Sequence, residues 1–318
     1  MPEVSVIIVC MNRPDNLYPC LESLRQYTRV NFETLVVAYM FSKVNLERAK
    51  ADFPWVKFIE SNGLRGFSEN NNLALRQVEG RFCFVLNDDT ELHEDVIGRL
   101  VEDFGKLPED AAIVSPKIFS GDGSLQLCGR PSHDAWHYFL QQWHLWHEAA
   151  DNTVGQTPVC GQVYRTFDIT GAAFLIRTEV FRELGWFDER YYFTPEDMAL
   201  STKARKCGYG VYVDAGVSLV HKWRTTASAL APAIRPSAVR GSLIFFSKGN
   251  PLRYFLLGLG VWIAEFGKRV KAFAICTIMP SDEQFSQLLT YRHITASIFS
   301  RRTPKEIFVR YYKKLKNG

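Results

Sequence analysis

The sequence predicts an α/β fold, a mostly parallel sheet flanked by helices, with a C-terminal helical extension. Two observations carry the sheet. Short β-branched apolar runs alternate with helix-period patterns through the first hundred residues, and alternation at that spacing implies right-handed crossovers between parallel strands. The fourth of these runs opens directly into an acidic cluster, Asp88-Asp89, as strands do where a sheet presents its carboxyl edge to a ligand. A third observation, a switch to apolar helical stripes among Lys and Arg in the last quarter, predicts the extension. At 318 residues the chain can bury one large core plus an appendage, or two modest domains. Its 47% hydrophobic and 23% charged residues are those of a folded chain rather than a disordered one.

Val4–Cys10 is a continuous β-branched run, the mark of a strand buried on both faces. Asn12-Arg13-Pro14-Asp15 breaks it, and Leu17, Cys20, Leu21 and Leu24 then fall at i, i+3, i+4 and i+7, a helix with one apolar face. Residues 35–38 form a second strand, 46–53 a short helix and 56–59 a third strand. Ser68 is expected to cap a helix running to about Val78, with Gly80 as its stop. Residues 82–86 make the fourth strand, and 93–104 a helix. After a strand at 111–114 the regularity fails, and residues 117–165 are rich in aromatics, His and Gly. Order resumes with a strand at 169–176, a helix from about Thr178, and the turn Gly185-Trp186-Phe187-Asp188. A helix follows over 195–207, closed by Gly208, with strands at 211–213 and 217–220. Residues 224–242, rich in Ala, Thr, Ser and Pro, read as a linker. The expected domains are therefore 1–228 and 229–318, and no internal repeat is visible.

The formal charge of +4 is unevenly spread, since residues 233–318 hold 15 Lys/Arg against 4 Asp/Glu and leave residues 1–232 at −7. An acidic body with a basic tail calls for an anionic partner. In the tail, Leu252, Phe255, Leu256, Leu259, Trp262, Ile263, Phe266, Val270 and Phe273 form one helical stripe, with Arg253, Lys268 and Lys271 off it. The uncharged run 254–264 is 11 residues long, short of the roughly 20 that span a bilayer. The pattern predicts a helix lying in an anionic membrane interface, where each Lys or Arg contributes about 1 kcal/mol. Nucleic acid is not expected, because no recognition module accompanies the charge. The competing expectation is a helical subdomain packed on the body or on a second copy of the chain, a homo-oligomer. The N-terminus has no basic segment before its seven-residue apolar run, so no signal peptide is read. Seven cysteines, an odd number with no CxxC pair, favour reduced thiols. The expected location is cytoplasmic, peripheral at the inner face of the cell membrane.

Three features carry chemistry. Asp88 and Asp89, at a strand's carboxyl end, suit a hard divalent cation that also takes phosphate oxygens, although Asp and Thr there would equally cap the next helix. Glu196-Asp197 opens another helix, where acidic residues are ordinary dipole partners. His221 ends an apolar strand, a place for a structural histidine as much as for a ligand. In the irregular stretch, His133, His137, His144 and His147 interleave with aromatics at helical spacings that could hold zinc with Cys128, but no CxxC or HExxH accompanies them. An acceptor-shaping insert, or plain packing against the sheet, explains that stretch better.

The order of these features resembles glycosyltransferase family 2, the inverting enzymes of the GT-A fold. Residues 4–9 with Asn12-Arg13 look like its opening strand and loop. Asn62-Gly63, Gly66-Phe67 and Asn70-Asn71-Asn72 look like its turn into a helix. Leu86-Asn87-Asp88-Asp89-Thr90 is similar to its DxD segment, in a variant that begins with Asn. Thr170-Gly171-Ala172-Ala173, Gly185-Trp186-Phe187-Asp188-Glu189, Glu196-Asp197, Ala204-Arg205, Gly208-Tyr209 and His221 follow in the family's order, so that the resemblance covers about residues 4–228. It is strongest to rhamnosyltransferase-like members that build bacterial surface polysaccharides.

By that resemblance Asp89 would ligate Mg²⁺ or Mn²⁺, with Asn87 nearby and His221 as a further ligand. Asp197 would be the general base and Glu196 would help place it or the acceptor. Asn12, Arg13, Arg65, Asn72, Asn87 and Asp88 would line the site of a nucleotide-sugar donor, a UDP- or dTDP-sugar, and the acceptor would be a glycan or lipid-linked hydroxyl. The chemistry agrees. Displacement at an anomeric carbon needs one base and a cation to neutralise the departing diphosphate, whereas glycosidases use two carboxylates with one as acid. One departure stands out: family members commonly carry an acid at the end of the second strand, where this chain has Ala38 followed by Tyr39, Met40 and Phe41. A non-catalytic carbohydrate- or nucleotide-binding scaffold is the rival that Ala38 favours. A nucleotidyltransferase would bring a Gly-rich basic loop after the first strand, which Cys10-Met11-Asn12-Arg13-Pro14 is not.

Overall fold

The structure is a computed structural model that describes residues 1–130, 133–149, 151, 153, 156–222 and 230–317. Strands β1 (Val4–Cys10), β2 (Phe32–Tyr39), β3 (Val56–Ser61) and β4 (Phe82–Asn87) alternate with helices α1 (Pro14–Tyr27), α2 (Lys43–Asp52) and α3 (Phe67–Leu75). Then come β5 (Thr90–Leu92), α4 (Val96–Phe104), β6 (Ala111–Phe119), β7 (Gly129–Arg130), α5 (Ala135–Gln142), β8 (Val163–Arg165) and β9 (Asp168–Ile169). β10 (Ala173–Arg177), α6 (Thr178–Glu183), α7 (Glu196–Lys206) and β11 (Gly210–His221) complete the body. Four helices follow: α8 (Ala231–Ser247), α9 (Pro251–Ile278), α10 (Asp282–Ser297) and α11 (Pro304–Asn317).

The main sheet runs β3-β2-β1-β4-β10-β6-β11-β5, with β8 alongside β11. β3, β2, β1 and β4 are parallel, β10 is antiparallel to both its neighbours, and β6 and β11 are parallel again. The parallel expectation therefore holds for the first half, and the second half is mixed. Side chains of β1 alternate between two cores, Val6 and Ile8 packing with Leu17 and Leu21 of α1, and Ile7 with Phe174 and Phe181 on the other face. The chain winds outward from β1 to β3 and returns to β4 on the other side of β1. That reversal opens a crevice at the carboxyl ends of β1 and β4, where ligands of such sheets bind.

Several local expectations change. Ser68 does not cap α3. Gly66 does, its N–H donating to Glu69 at 3.1 Å, while Ser68 Oγ donates to the Tyr191 carbonyl at 2.8 Å. Glycine is needed at 66 because a Cβ there would lie 2.0 Å from the Tyr192 oxygen. α3 stops at Leu75, well before Gly80, whose bare α-carbon lets β1 approach; a Cβ would stand 2.5 Å from Ser5 N. Asp95, not the 87–91 cluster, caps α4 by accepting from Gly98 N at 3.0 Å. The two expected strands after 210 are one bent strand, β11, with a register shift between Asp214 and Ser218.

The largest correction concerns the linker. Residues 231–242 are helical, the first turns of α8. Their small side chains permit close packing: a Cβ on Gly241 would lie 2.3 Å from the Thr194 carbonyl oxygen. The expected boundary at 228/229 falls outside the described residues. The extension is a helical layer on the body. Tyr138 and Met198 share a core with Leu243, Phe246, Leu257, Val261, Ile294 and Ile298, and Tyr192 shares another with Ala233, Ile307, Phe308 and Tyr311. The outer stripe of α9 remains exposed at Leu252, Phe255, Leu256, Leu259, Ile263, Phe266, Val270 and Phe273. Trp262, read as part of that stripe, packs against the inner core instead. Among the described residues no helix is long and apolar enough to cross a membrane.

Candidate active site

β4 delivers Asn87, Asp88 and Asp89 to the crevice, and the short strand β5 that follows fixes what stands opposite. Thr90 pairs with His221 at the end of β11, and Lys222 N donates to the Asp89 carbonyl at 2.9 Å. This pairing sets His221 Nε2 3.1 Å from Asp89 Oδ1 and 3.3 Å from Asn87 Nδ2. Asp89 and His221 are both buried. Three residues from ends of the chain's body 134 positions apart thus converge on one point.

Asp88 faces the β1 side. Burial pushes its carboxyl up to about 7, with the Cys10 thiol's hydrogen bond opposing, Asp89's charge adding and Arg13's charge opposing. Its Oδ2 is buried and has no hydrogen-bond partner among the described residues. A carboxyl so placed between the ends of β1 and β4 suits a hydroxyl of a bound ligand better than a solvated face.

The second cluster lies at the start of α7. Between β9 and β10 the chain breaks at Thr170-Gly171-Ala172, where the sequence suggested continuous strand. Ala172 O accepts from Asn87 N at 2.9 Å, and Gly171 N donates to Asp197 Oδ2 at 3.1 Å. One dipeptide therefore ties the Asn87-Asp89 segment to the first turn of α7. Asp197 Oδ1 also accepts from Met198 N, at 2.7 Å, so both oxygens are oriented by backbone donors. Glu196 is buried, its Oε2 has no hydrogen-bond partner among the described residues, and burial followed by the charge of Asp197 holds its carboxyl well above the usual range. Two neighbouring carboxyls thus sit in different surroundings.

Residues that motif reading missed surround both clusters. Gln126, on the hairpin after β6, bonds His221 Nδ1 through Oε1 at 2.8 Å. Arg130, on β7, pairs with Asp168 at 3.0 Å and Glu148 at 3.0 Å and interacts electrostatically with Asp197. His133 lies 3.6 Å from Glu148, and its ring packs with those of His137, Trp146 and Phe246. Cys128 Sγ bonds the Gln126 carbonyl at 3.3 Å. The histidine stretch is thus packing and ion pairing around the site, and among the described residues no three His, Cys, Asp or Glu side chains converge as a metal cage would.

The expected donor-side residues divide. Asn12, in a left-handed conformation at φ 49°, ties two loops at the sheet edge, its Oδ1 accepting from Ser42 N at 3.1 Å and Asn45 Nδ2 at 2.9 Å. Arg13 lies near Asp88. Arg65 donates to Ser61 Oγ at 3.2 Å and, through its backbone, to the Tyr39 hydroxyl at 3.3 Å. Asn72 is not brought to the crevice. Its amide is used up on the backbone of Phe187, at 3.1 and 3.0 Å, and on Glu189 at 2.9 Å, where it holds the Trp186-Glu189 turn. Ala38 is buried in register with Cys10 and Glu60, and Tyr39 after it is buried too.

The donor set fits Mg²⁺ or Mn²⁺. One carboxylate oxygen and one imidazole nitrogen meet, with an amide beside them, and such cations take one or two protein ligands and complete their shell with phosphate and water.

The Glycosyl transferase family 2 model matches residues 5–185. The O-antigen biosynthesis protein RfbC of Myxococcus xanthus is 29% identical over 241 residues, 73% of this chain. The chain spans 18% of that relative's length. Two solved structures share the fold. GalNAc-T7 with UDP, GalNAc and Mn²⁺ matches at TM-score 0.56 and 16% identity, over all of this chain and 58% of the other. The Pyrobaculum calidifontis mannosyltransferase PcManGT with GDP-Man and Mn²⁺ matches at TM-score 0.54 and 16% identity, over 98% and 86%. The mixed sheet with flanking helices is therefore that of GT-A glycosyltransferases.

Proposed function

The chain belongs to glycosyl transferase family 2 and is a glycosyltransferase, and from that premise we propose metal-dependent transfer with inversion, from a nucleoside diphosphate sugar to an acceptor hydroxyl. The observation that carries the reading is the bonding of Asn87 and Asp197 to one dipeptide, Gly171-Ala172, which keeps a cation-holding cluster beside a carboxylate base. The diphosphate lies in the crevice between β1 and β4. Asp89 and His221 would hold Mg²⁺ or Mn²⁺, which would supply charge neutralisation for the departing nucleoside diphosphate. Asp197, its oxygens aimed by two N–H donors, takes the proton of the attacking hydroxyl. Glu196, buried and with its carboxyl held above the usual range, hydrogen-bonds to orient that hydroxyl. A diphosphate leaves without a general acid, so a single base and a single displacement invert the anomeric centre.

The donor is a UDP- or dTDP-sugar, and the acceptor is a glycan or lipid-linked hydroxyl in bacterial surface polysaccharide synthesis. The RfbC relative supports the pathway class, and the UDP, GDP-Man and Mn²⁺ complexes of the structural neighbours support a metal-bridged nucleotide sugar. The protein works at the cytoplasmic face of the cell membrane as a peripheral protein. The basic extension and the exposed stripe of α9 support anionic lipid as its surface partner, and self-association through that stripe is the competing use.

Calorimetric titration of UDP, dTDP, GDP and CDP, with and without Mn²⁺, tests the donor site. Metal-dependent binding of one nucleotide is expected, and Asp89→Ala should lose it. Asp197→Asn should keep that binding while transfer falls by roughly 10²- to 10⁴-fold. Absence of any nucleotide binding would favour the scaffold reading that Ala38 suggests, and wild-type transfer by Asp197→Asn would remove it as the base.

A further inference from the structure

We propose that Gln126 is a positioning residue that fixes which nitrogen of His221 carries the proton; the inference rests on the metal-site reading of the Asp89–His221 pair. The residue is presented by a hairpin whose backbone is closed on itself. Ser120 N donates to Ser124 O at 2.7 Å, Gly123 N to Ser120 O at 2.9 Å, and Gln126 N to Ile118 O at 2.8 Å. Because Phe119 of β6 pairs with Val220 of β11, the return of this hairpin passes alongside His221.

Both ends of the Gln126 amide are committed. Its Nε2 donates to the His221 carbonyl at 2.7 Å and to Ser120 Oγ at 3.0 Å. A flipped amide would set oxygen against that carbonyl oxygen, so the network fixes the orientation. Oε1 must then face His221 Nδ1, at 2.8 Å, and an oxygen there accepts only from Nδ1–H. The tautomer protonated on Nε2 alone would set the Nδ1 lone pair against Oε1. It would also place a hydrogen between Nε2 and Asp89 Oδ1, the two atoms, 3.1 Å apart, that would ligate a cation. Gln126 disfavours that closed arrangement and leaves the Nε2 lone pair to accept from Asn87 Nδ2 at 3.3 Å or to ligate, as an outer partner of a ligating histidine does. Backbone closure of the hairpin makes this a property of the folded chain before any ligand arrives.

The experiment is ¹⁵N-histidine NMR of the protein without metal, at about pH 8 where an ordinary histidine is neutral, with His221→Ala to assign the resonance. The expected His221 spectrum has a protonated Nδ1 and a bare, pyridine-like Nε2. Gln126→Leu should shift the population towards Nε2–H. In parallel, the Mn²⁺ affinity in the presence of UDP should fall by roughly 10- to 100-fold in Gln126→Leu, with circular dichroism verifying the fold. An Nε2–H His221 in the wild type, or an unchanged spectrum in Gln126→Leu, would overturn the proposal. Failure of the wild type to bind Mn²⁺ would count against the metal reading, and the spectrum alone would then decide the role of Gln126.

Discussion

Glu196 and Asp197 are adjacent in sequence, yet their surroundings assign them different work. Asp197 accepts two backbone N–H bonds, while Glu196 is buried with an oxygen that has no hydrogen-bond partner among the described residues and a carboxyl pushed well above its usual range by burial and then by Asp197. A carboxyl whose folded pKa is raised binds more protons folded than unfolded, so it contributes stability at low pH. That contribution is lost as pH climbs from the unfolded value of about 4.3 towards the raised folded value. Glu196→Gln mimics the neutral acid at every pH. Its melting temperature should therefore rise relative to wild type between about pH 5 and pH 8. A constant difference across that range, or a widening deficit, would mean that Glu196 is ionised and paired. At this scale the meeting of Asp89 with His221, and the tie from their segment to Asp197, were legible in the order of these residues along the chain, their roles being those proposed above. Gln126 and Arg130 were not. A glutamine and an arginine in an irregular stretch carry no period and no motif, and they matter only through the β6–β11 and β7–β9 pairings that bring them in.

Elements with strong periodicity were read correctly for a simple reason. β1 is buried on both faces and α1 on one, and burial of that kind leaves a pattern in the residues themselves. Short elements leave none: β5 is three residues long and owes its existence to β11, yet it sets the Asp89–His221 distance. The first turns of α8 were misread as linker because small residues signal loops and close helix packing alike. α9 tests the membrane reading most directly, since its outward residues Phe266 and Phe273 are 41% and 63% exposed while Val261 on its inner side is fully buried. Each phenylalanine that enters the interface contributes about 1.5–3 kcal/mol. The double change Phe266→Asp, Phe273→Asp should therefore lower binding to phosphatidylglycerol-containing vesicles at least tenfold in co-sedimentation, with the melting temperature nearly unchanged. Unaltered vesicle binding would remove α9 as the membrane-facing element. If the wild type sediments as a dimer and the variant as a monomer, the stripe serves self-association.

Across the whole molecule the acidic body and the basic extension form one packed unit rather than a body with a loose tail. α11 folds back onto the loop before α3. Ile307, Phe308 and Tyr311 are buried against Tyr192, Lys305 pairs with Glu69, and Tyr312 lies near Tyr39 at the end of β2. Tyr192 in turn accepts from Phe67 N at 2.8 Å through its carbonyl, against the glycine that caps α3. The extension thus packs beside the loop before α3 and the end of β2, where the buried Tyr39 hydroxyl accepts from Arg65 N at 3.3 Å. This predicts that the extension matters to nucleotide binding as well as to lipid. Removing residues 303–318 exposes Ile307's and Phe308's partners and withdraws about 1.5–3 kcal/mol for each large side chain lost from that core. If the remaining chain stays folded by circular dichroism, its nucleotide affinity in the presence of Mn²⁺ should drop several-fold even without vesicles. The same charge density makes vesicle binding by the intact protein fall steeply as ionic strength rises and the Debye length shrinks from about 10 Å at 0.1 M to about 3 Å at 1 M, while nucleotide binding held by a buried metal cluster should change far less. Equal salt sensitivity of the two would mean that the extension's charge, and not its packing, reaches the donor site.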